Sequence, residues 1–177
     1  MTNKNKKISI DKIIAFTDGS CCKKKFSTAC GYGVYFPNKE LANISRPLTL
    51  FPLTNQRAEL CAIYKCIKKI YKKYLPDFIE IYTDSQYSIS SMTEWIFNWK
   101  QNGWKTSNNK QVSNQDLLTK IDKYMNKATI KNKIKFHHIR AHTGKQDFYS
   151  LGNEEADELA KKGGLQCKKS QKFFTKD

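Results

Sequence analysis

Two acidic residues stand where strongly apolar stretches of the chain give way to small polar residues. Asp18 follows residues 8–17 and precedes Gly-Ser, and Asp84 follows residues 78–83 and precedes a serine. Both stretches are typical of buried β-strands. Because ligands of α/β sheets gather at strand ends, two carboxylates that end neighbouring parallel strands would share one edge of the sheet. Each site alone is also an ordinary turn or helix-capping sequence.

Two further carboxylates lie near the starts of predicted helices, on the apolar side. Glu59 is surrounded by small or apolar residues, and Asp157 shares its helical phase with Ala156 and Ala160. A carboxylate in such a place is costly unless a cation accompanies it. Interaction with the positive end of the helix dipole is the alternative explanation, and it is strong for the acidic cluster around Asp157.

Convergence of all four carboxylates would be strongly repulsive unless divalent cations lay between them. Oxygen-only ligands select hard ions such as Mg²⁺ or Mn²⁺. Two such ions roughly 3.5–4 Å apart can activate a water and stabilise the leaving oxygen when a phosphodiester is cleaved. The residue types therefore predict a hydrolytic metal centre at one edge of the sheet.

The charge of the chain points to a polyanionic partner. Its 177 residues include 32 Lys and Arg against 16 Asp and Glu, which gives a net charge of +16. Such a surface attracts nucleic acid first and an anionic membrane second. Arg46, Arg57 and Arg140 are the arginines, so lysines supply most of the charge. Lysine suits phosphate better than base edges, which favours backbone contacts over sequence reading.

The sequence predicts an intracellular protein. It has no apolar run of about 18 residues and no apolar signal-peptide core after its start. We therefore expect a cytosolic or nuclear protein, or a virus-encoded one that acts in the host cell, rather than a secreted or membrane-bound one. In such a compartment the six cysteines should be reduced.

The periodicity of the chain predicts an α/β fold with a mixed five-stranded sheet flanked by helices. Three strands should form an antiparallel meander, and two should join it in parallel through helical crossovers. The predicted strands are residues 8–17, 30–36, 40–48, 78–83 and 134–141. The predicted helices begin at Thr54 and cover about 86–99, 115–126 and 153–162. We expect a short basic extension over 1–11, a catalytic domain over 12–163 and a disordered basic tail over 164–177.

Four motifs stand in the same order as in a known family. They are Asp18-Gly19-Ser20, Thr54-Asn55-Gln56-Arg57-Ala58-Glu59-Leu60, Tyr82-Thr83-Asp84-Ser85, and Ala141-His142-Thr143-Gly144 followed by Gly152-Asn153-Glu154-Glu155-Ala156-Asp157. Together they resemble type 1 ribonuclease H in its cellular form, over about residues 12–163. The resemblance implies a ribonuclease H-like fold and a metal-dependent endonuclease that cuts the RNA strand of RNA–DNA hybrids, leaving 3′-hydroxyl and 5′-phosphate ends.

The resemblance also implies roles for individual residues. Asp18, Glu59, Asp84 and Asp157 would hold two Mg²⁺ ions, with Mn²⁺ as a substitute, and His142 would assist proton transfer or product release. Cys21, Asn55 and Gln56 would contact the RNA strand. The DNA strand would meet an aromatic channel and a phosphate pocket made by Tyr87, Trp95, Trp99, Thr54 and Asn114. A basic protrusion, about residues 98–114, would add Lys100, Trp104, Lys105 and Lys110.

Three features depart from the pattern of the family. Pro52 stands where some relatives have a phosphate-binding arginine, and the loop between His142 and Gly152 is longer than in compact relatives. The chain also begins almost at its first strand, so we expect no separate N-terminal hybrid-binding domain. We expect a monomer whose partner is the RNA–DNA hybrid.

Two other classes of function compete with a ribonuclease. A catalytically inactive module that binds hybrids or other duplexes would explain the charge and the aromatic residues, but it would gain nothing from four acids. Another enzyme on the same fold, such as a Holliday-junction resolvase, an integrase core or an exonuclease, would explain the acids. The Asn55-Gln56 pair and the tryptophans of the protrusion argue against the latter.

Overall fold

The computed structural model describes residues 7–24, 27–141 and 143–172. Within these ranges the strands are β1 (Ile8–Lys24), β2 (Ser27–Tyr35), β3 (Ile44–Pro47), β4 (Tyr74–Thr83) and β5 (Ile134–His138). The helices are α1 (Asn55–Lys73), α2 (Gln86–Ser90), α3 (Ile96–Gln101), α4 (Gln115–Met125) and α5 (Phe148–Lys172), with a π-helical turn at Ser91–Trp95.

The strands form one mixed sheet in the order β3-β2-β1-β4-β5. The pairs β1–β2 and β2–β3 are antiparallel, and the pairs β1–β4 and β4–β5 are parallel. The predicted five-stranded mixed sheet is therefore confirmed. No helix in the described ranges is long and apolar enough to cross a membrane.

Strand β1 is longer than the sequence predicts. The predicted strand ends before Asp18, but β1 continues to Lys24 and stays paired with β2 as far as Ser27. Its parallel pairing with β4 ends earlier, at Phe16 opposite Tyr82. The prediction was wrong because pairing with one antiparallel partner, β2, is enough to continue β1 after its pairing with β4 has ended. Asp18 consequently lies just past the end of the parallel ladder, inside a continuous strand.

Alternate residues of β1 serve two apolar layers. Ile13 and Ala15 are fully buried in the core that α1 and α4 complete, and Phe16 is fully buried with Ala156 of α5 on the other face. Helix α1 contributes to the first layer through small and aliphatic residues between Ala58 and Ile70. Thr54 begins this helix as predicted, because its side-chain oxygen accepts a hydrogen bond from the backbone N–H of Arg57 at 3.2 Å.

Helix α5 is also longer than predicted, at both ends. Its first turn packs Phe148 against Phe16, with the ring centroids 5.5 Å apart. At the other end the helix runs on to Lys172, so residues 164–172 are helical rather than part of a disordered tail. Glycine usually ends a helix, but Gly163 here lies against the backbone of Arg46, where a Cβ would overlap it. That close contact explains why glycine occurs inside the helix.

We predict that Gly33→Ala destabilises the fold by about 1–3 kcal/mol, the usual cost of overpacking. A Cβ at Gly33 of β2 would overlap the carbonyl oxygen of Ala156 and force α5 away from the sheet. The matched control is Gly164→Ala, whose Cβ would meet its nearest atom at 3.3 Å. Urea unfolding measures both changes, and equal effects on the free energy of unfolding would contradict this packing account.

Candidate active site

Four elements bring the acidic residues to one region of the molecule. Asp18 lies on β1, Glu59 in the second turn of α1, Asp84 directly after β4, and Asp157 on α5. Strands β1 and β4 are parallel neighbours, so Asp18 and Asp84 lie at the same edge of the sheet. The helices supply the other two carboxylates from opposite faces of that sheet.

Gly19 lets strand β1 and helix α1 approach each other at this edge. A Cβ at Gly19 would overlap the backbone nitrogen of Glu59 and the backbone carbon of Ala58. Because side chains alternate along a strand, Gly19 faces α1 while Asp18 faces the opposite side of the sheet. The absence of a side chain at one position therefore brings the backbones of two acid-bearing elements into direct contact.

Asp18 is the most buried of the four carboxylates. Its residue is 7% exposed. Burial raises its pKa to about 8, and the negative charges of Asp84, Asp157 and Glu59 add to the shift, while a hydrogen bond from the backbone of Gly19 opposes it. The four carboxylates thus lie within electrostatic reach of one another around Asp18.

Glu59 is held by two side-chain donors. The hydroxyl of Ser85 donates to one carboxylate oxygen, and the amide of Asn55 donates to the other at 2.7 Å. Burial raises the pKa of Glu59 and Asp84 adds to the rise, whereas both hydrogen bonds lower it. Asn55, which the sequence predicts as an RNA contact, therefore also orients a carboxylate of the acidic cluster.

Asp84 and Asp157 each have a neighbour that the sequence analysis did not single out. The backbone carbonyl of Asp84 lies 3.2 Å from the Nε2 atom of His138 on β5. Lys161, one turn after Asp157 on α5, approaches its Oδ2 atom to 2.5 Å. The spacing of four residues could have revealed this ion pair, since residues four apart share a helix face.

The donor set fits a hard divalent cation. All four side chains offer only carboxylate oxygens, and the buried Asp18 repels its neighbours, so positive charge between them would relieve the repulsion. Across the described part of the chain, no group of three or more acidic, histidine or cysteine side chains is already close enough to hold a metal ion. Glu59 and Asp157 are instead occupied by the donors of Ser85, Asn55 and Lys161.

The residues predicted to contact a DNA strand are connected through Arg57. This residue is 5% exposed, and its guanidinium makes paired bonds of 2.8 and 2.6 Å to Asp116. It also donates to Asn114 at 3.2 Å, and Asn114 in turn donates to the hydroxyl of Tyr87 at 3.3 Å. Arg57 is not among the residues that the resemblance assigns to the DNA strand, but it holds Asn114 in position from the protein interior.

Two tryptophans of the predicted aromatic channel and one lysine of the basic protrusion line the same groove. The rings of Tyr87 and Trp95 lie 6.1 Å apart, and those of Trp95 and Trp99 lie 5.6 Å apart. Next to these rings lies a groove of about 390 Å³, whose lining includes Trp95, Trp99 and Lys105. Lys110 is exposed beside it.

Two residues of the protrusion are engaged in contacts with other parts of the protein. Trp104 is partly buried and packs against the main apolar core, which limits the ring surface that it can offer to a nucleic acid. Lys100 is paired with Asp122 at 2.8 Å, which satisfies part of its charge. The groove therefore relies on Trp95, Trp99 and Lys105 rather than on Trp104.

Cys21 differs from its predicted state. It forms a disulfide with Cys30, which lies directly opposite on β2 with the two Cα atoms 4.0 Å apart. The expectation of six reduced cysteines was therefore wrong, because the extension of β1 along β2 brings these two side chains together. A disulfide sulfur has no S–H group, so Cys21 has no thiol to donate to RNA. Cys22 is a free and exposed thiol.

Gln56 is exposed in the first turn of α1, next to Asn55. His142, the predicted loop histidine, lies outside the described residues. The loop that follows is held to α5, since the hydroxyls of Thr143 and Ser150 lie 2.8 Å apart and Asp147 accepts a bond from the backbone N–H of Ser150.

Comparisons with known proteins agree with this arrangement. The family model described as RNase H matches residues 11–164, a range that covers most of the chain and contains the four carboxylates. The chain belongs to the ribonuclease H family. It is 36% identical over 152 residues to ribonuclease HI of Haemophilus influenzae, covering 86% of this chain and 89% of that relative.

More distant relatives share the same domain. Human ribonuclease H1 is 34% identical over 157 residues, which cover 88% of this chain and 51% of the human protein. The solution structure of the PFV RNase H domain is 27% identical, covers 87% of this chain and 94% of that one, and gives a TM-score of 0.71. Ribonucleases H are hydrolytic endoribonucleases that act on the RNA strand of RNA–DNA hybrids and depend on divalent metal ions.

We predict that Asp18→Asn stabilises the metal-free ribonuclease H at pH 8 by up to about 5 kcal/mol. The folded protein raises the pKa of Asp18 from 3.8 to about 8, so between these values it binds more protons than the unfolded chain. The free energy of unfolding of the wild type should therefore fall as pH rises through this window, and Asp18→Asn should flatten the fall.

Unfolding in urea with EDTA at a series of pH values measures this effect. The exposed Asp77 supplies the control, because Asp77→Asn should leave the pH dependence as it is. A wild-type stability that does not decline between pH 4 and 8 would contradict the account of the buried carboxylate.

Proposed function

We propose that this ribonuclease H cuts the RNA strand of RNA–DNA hybrids with two Mg²⁺ ions, which Mn²⁺ can replace. We further propose that it acts as a monomer and leaves 3′-hydroxyl and 5′-phosphate ends. The observation that supports this proposal most strongly is the buried Asp18, whose charge is opposed by three other carboxylates. A protein that only bound phosphates would gain nothing from this arrangement.

Asp18, Glu59, Asp84 and Asp157 would hold the ions. Bound there, the ions would supply an activated water and neutralise charge on the leaving oxygen. The chain itself prepares the site, because Ser85 and Asn55 fix both oxygens of Glu59. Preorganised ligands need no reordering when the substrate arrives. We assign proton transfer or product release to His142, because an imidazole can both accept and donate a proton.

The two strands of the hybrid would be distinguished by different surfaces. Asn55 and Gln56 are exposed at the start of α1, and an amide can both donate to and accept from a 2′-hydroxyl. The groove lined by Trp95, Trp99 and Lys105 would receive the DNA strand, since aromatic rings and lysines suit sugars and phosphates. Asn114, held by Arg57, would bind a phosphate of that strand together with Thr54.

Cleavage of four matched substrates, three duplexes and one single strand, tests the proposal. End-labelled RNA–DNA, RNA–RNA, DNA–DNA and single-stranded RNA of one sequence are incubated with Mg²⁺ or with EDTA. We expect products only from the RNA strand of the hybrid, only with Mg²⁺, and with 5′-phosphates that a phosphatase removes. Cleavage of RNA–RNA at a similar rate, or cleavage that persists in EDTA, would contradict it.

We predict that Asp84→Asn lowers kcat by more than about a hundredfold, a loss that can follow even from removing a supporting partner of a metal ligand. Hybrid affinity should be kept or increased, because the change removes a negative charge near the bound phosphates. Asp77→Asn, at an exposed position, should change neither value. Single-turnover cleavage and hybrid binding in EDTA give the two numbers, and near wild-type turnover of Asp84→Asn would refute the assignment.

We predict different kinetic effects for the two neighbouring amides. Gln56→Ala should raise KM about fivefold with little change in kcat, the value of one lost hydrogen bond. Asn55→Ala should also lower kcat about tenfold to a hundredfold, because it releases the carboxylate of Glu59. Steady-state kinetics on the hybrid separates the two effects. The same KM-only pattern in both variants would show that the bond from Asn55 to Glu59 is not used.

A further inference from the structure

One face of helix α1 carries lysines that the proposed active site does not use. Lys65, Lys68, Lys69 and Lys72 recur at intervals of three and four residues, so they lie on one side of the helix. We call this set the lysine face. Together with Ile44 of β3, it lines a groove of about 290 Å³.

The charges of the lysine face are not neutralised by the protein. Throughout the described ranges, none of the four lysines forms an ion pair with a carboxylate. The ammonium group of Lys69 donates to the backbone carbonyl of Ala42 instead. Burial lowers the pKa of Lys69, and the positive charges of Arg46 and Lys73 lower it further. A bound anion would therefore reduce the repulsion between these positive charges.

A cluster of tyrosines borders the lysine face. The ammonium groups of Lys65 and Lys68 are 5.7 and 5.6 Å from the ring centre of Tyr64. The rings of Tyr64 and Tyr124 are 5.8 Å apart, and Tyr124 is 5.5 Å from Tyr71. Lysines next to aromatic rings are typical of surfaces that contact a nucleic-acid backbone.

The lysine face points away from the acidic cluster. Residues of an α-helix advance about 100° each, so Lys68 lies about 180° around the helix axis from Glu59. A rise of 1.5 Å per residue also places Lys72 about 20 Å along the helix from Glu59. A duplex whose scissile strand lies at the acidic cluster would meet the start of α1 rather than the lysine face.

Two simpler explanations account for only part of the pattern. Lysines in the last turn of a helix interact favourably with its dipole, which explains Lys72 and Lys73. Lys65 and Lys68 lie before that turn. A merely solvated surface usually mixes both signs of charge, whereas Glu59 is the single acidic residue of α1.

We propose that the lysine face is a second nucleic-acid surface, which binds the phosphate backbone of a duplex that the enzyme does not cut. It would hold the protein on double-stranded DNA or on a neighbouring duplex while the acidic cluster remains free. The contact is with phosphates, so it is independent of base sequence and sensitive to salt.

The test compares two triple variants of equal charge. One is Lys65→Gln, Lys68→Gln, Lys72→Gln on the lysine face, and the control is Lys39→Gln, Lys131→Gln, Lys135→Gln at exposed lysines elsewhere. A fluorescent DNA duplex, which is not a substrate, is titrated with each protein in EDTA at several salt concentrations. Cleavage of a hybrid of about one helical turn is measured in parallel as a check of folding and of the active site.

We expect the lysine-face variant to bind the DNA duplex about tenfold more weakly at low salt and to lower the slope of log K against log[salt] by about two to three. The control should keep most of the affinity and slope, and both variants should cut the short hybrid as the wild type does.

Equal losses in the two variants would overturn the proposal in favour of general attraction by net charge. A parallel loss of short-hybrid cleavage in the lysine-face variant would place these lysines on the substrate path. Unchanged DNA affinity, with lost binding to phosphatidylserine vesicles, would assign the face to a membrane surface. Because the DNA titration involves no cleavage, its result is independent of the proposed catalytic function.

Discussion

The contact between β1 and α1 at Gly19 is the constraint on which the site depends. With no side chain at this position, the strand can lie directly against the backbone of Glu59. Ile13 and Ala15 of β1 pack in the core with α1 on one face of the sheet, and Phe16 packs with Ala156 of α5 on the other. Apolar burial therefore supplies the free energy that holds four like charges near one another, and the acidic cluster is a cost that the rest of the fold offsets.

The burial of these carboxylates favours the binding of a divalent cation. A carboxylate as buried as Asp18 would be neutral near pH 7 without a compensating cation, because burial raises its pKa to about 8. Serine, asparagine and lysine side chains donate hydrogen bonds to Glu59 and Asp157. Within the described residues, Asp18 is bonded by the backbone of Gly19 and not by such a side chain. The most buried charge is thus the one with the most to gain from a divalent ion, as expected for a metal-dependent ribonuclease H.

The sequence was enough to predict the sheet and the helix beginning at Thr54, because apolar periodicity and helix capping are local signals. The four carboxylates that it singled out lie within electrostatic reach of one another around Asp18. It was not enough for β1, whose extension to Lys24 depends on a partner strand. The disulfide of Cys21 followed from the same long-range pairing and was missed with it. The bonds of Arg57 to Asp116 and Asn114 join residues nearly sixty positions apart, so no local pattern could reveal them.

The most direct test of the account is the stability of the wild-type protein as a function of Mg²⁺. Urea unfolding at pH 8 is measured over increasing MgCl₂, with ionic strength held constant by NaCl. Because a ligand that binds only the folded state stabilises it by RT ln(1 + [L]/Kd), the free energy of unfolding should rise with the logarithm of Mg²⁺ concentration above Kd. A free energy of unfolding that does not change with Mg²⁺ would show that the acidic cluster is not a cation site.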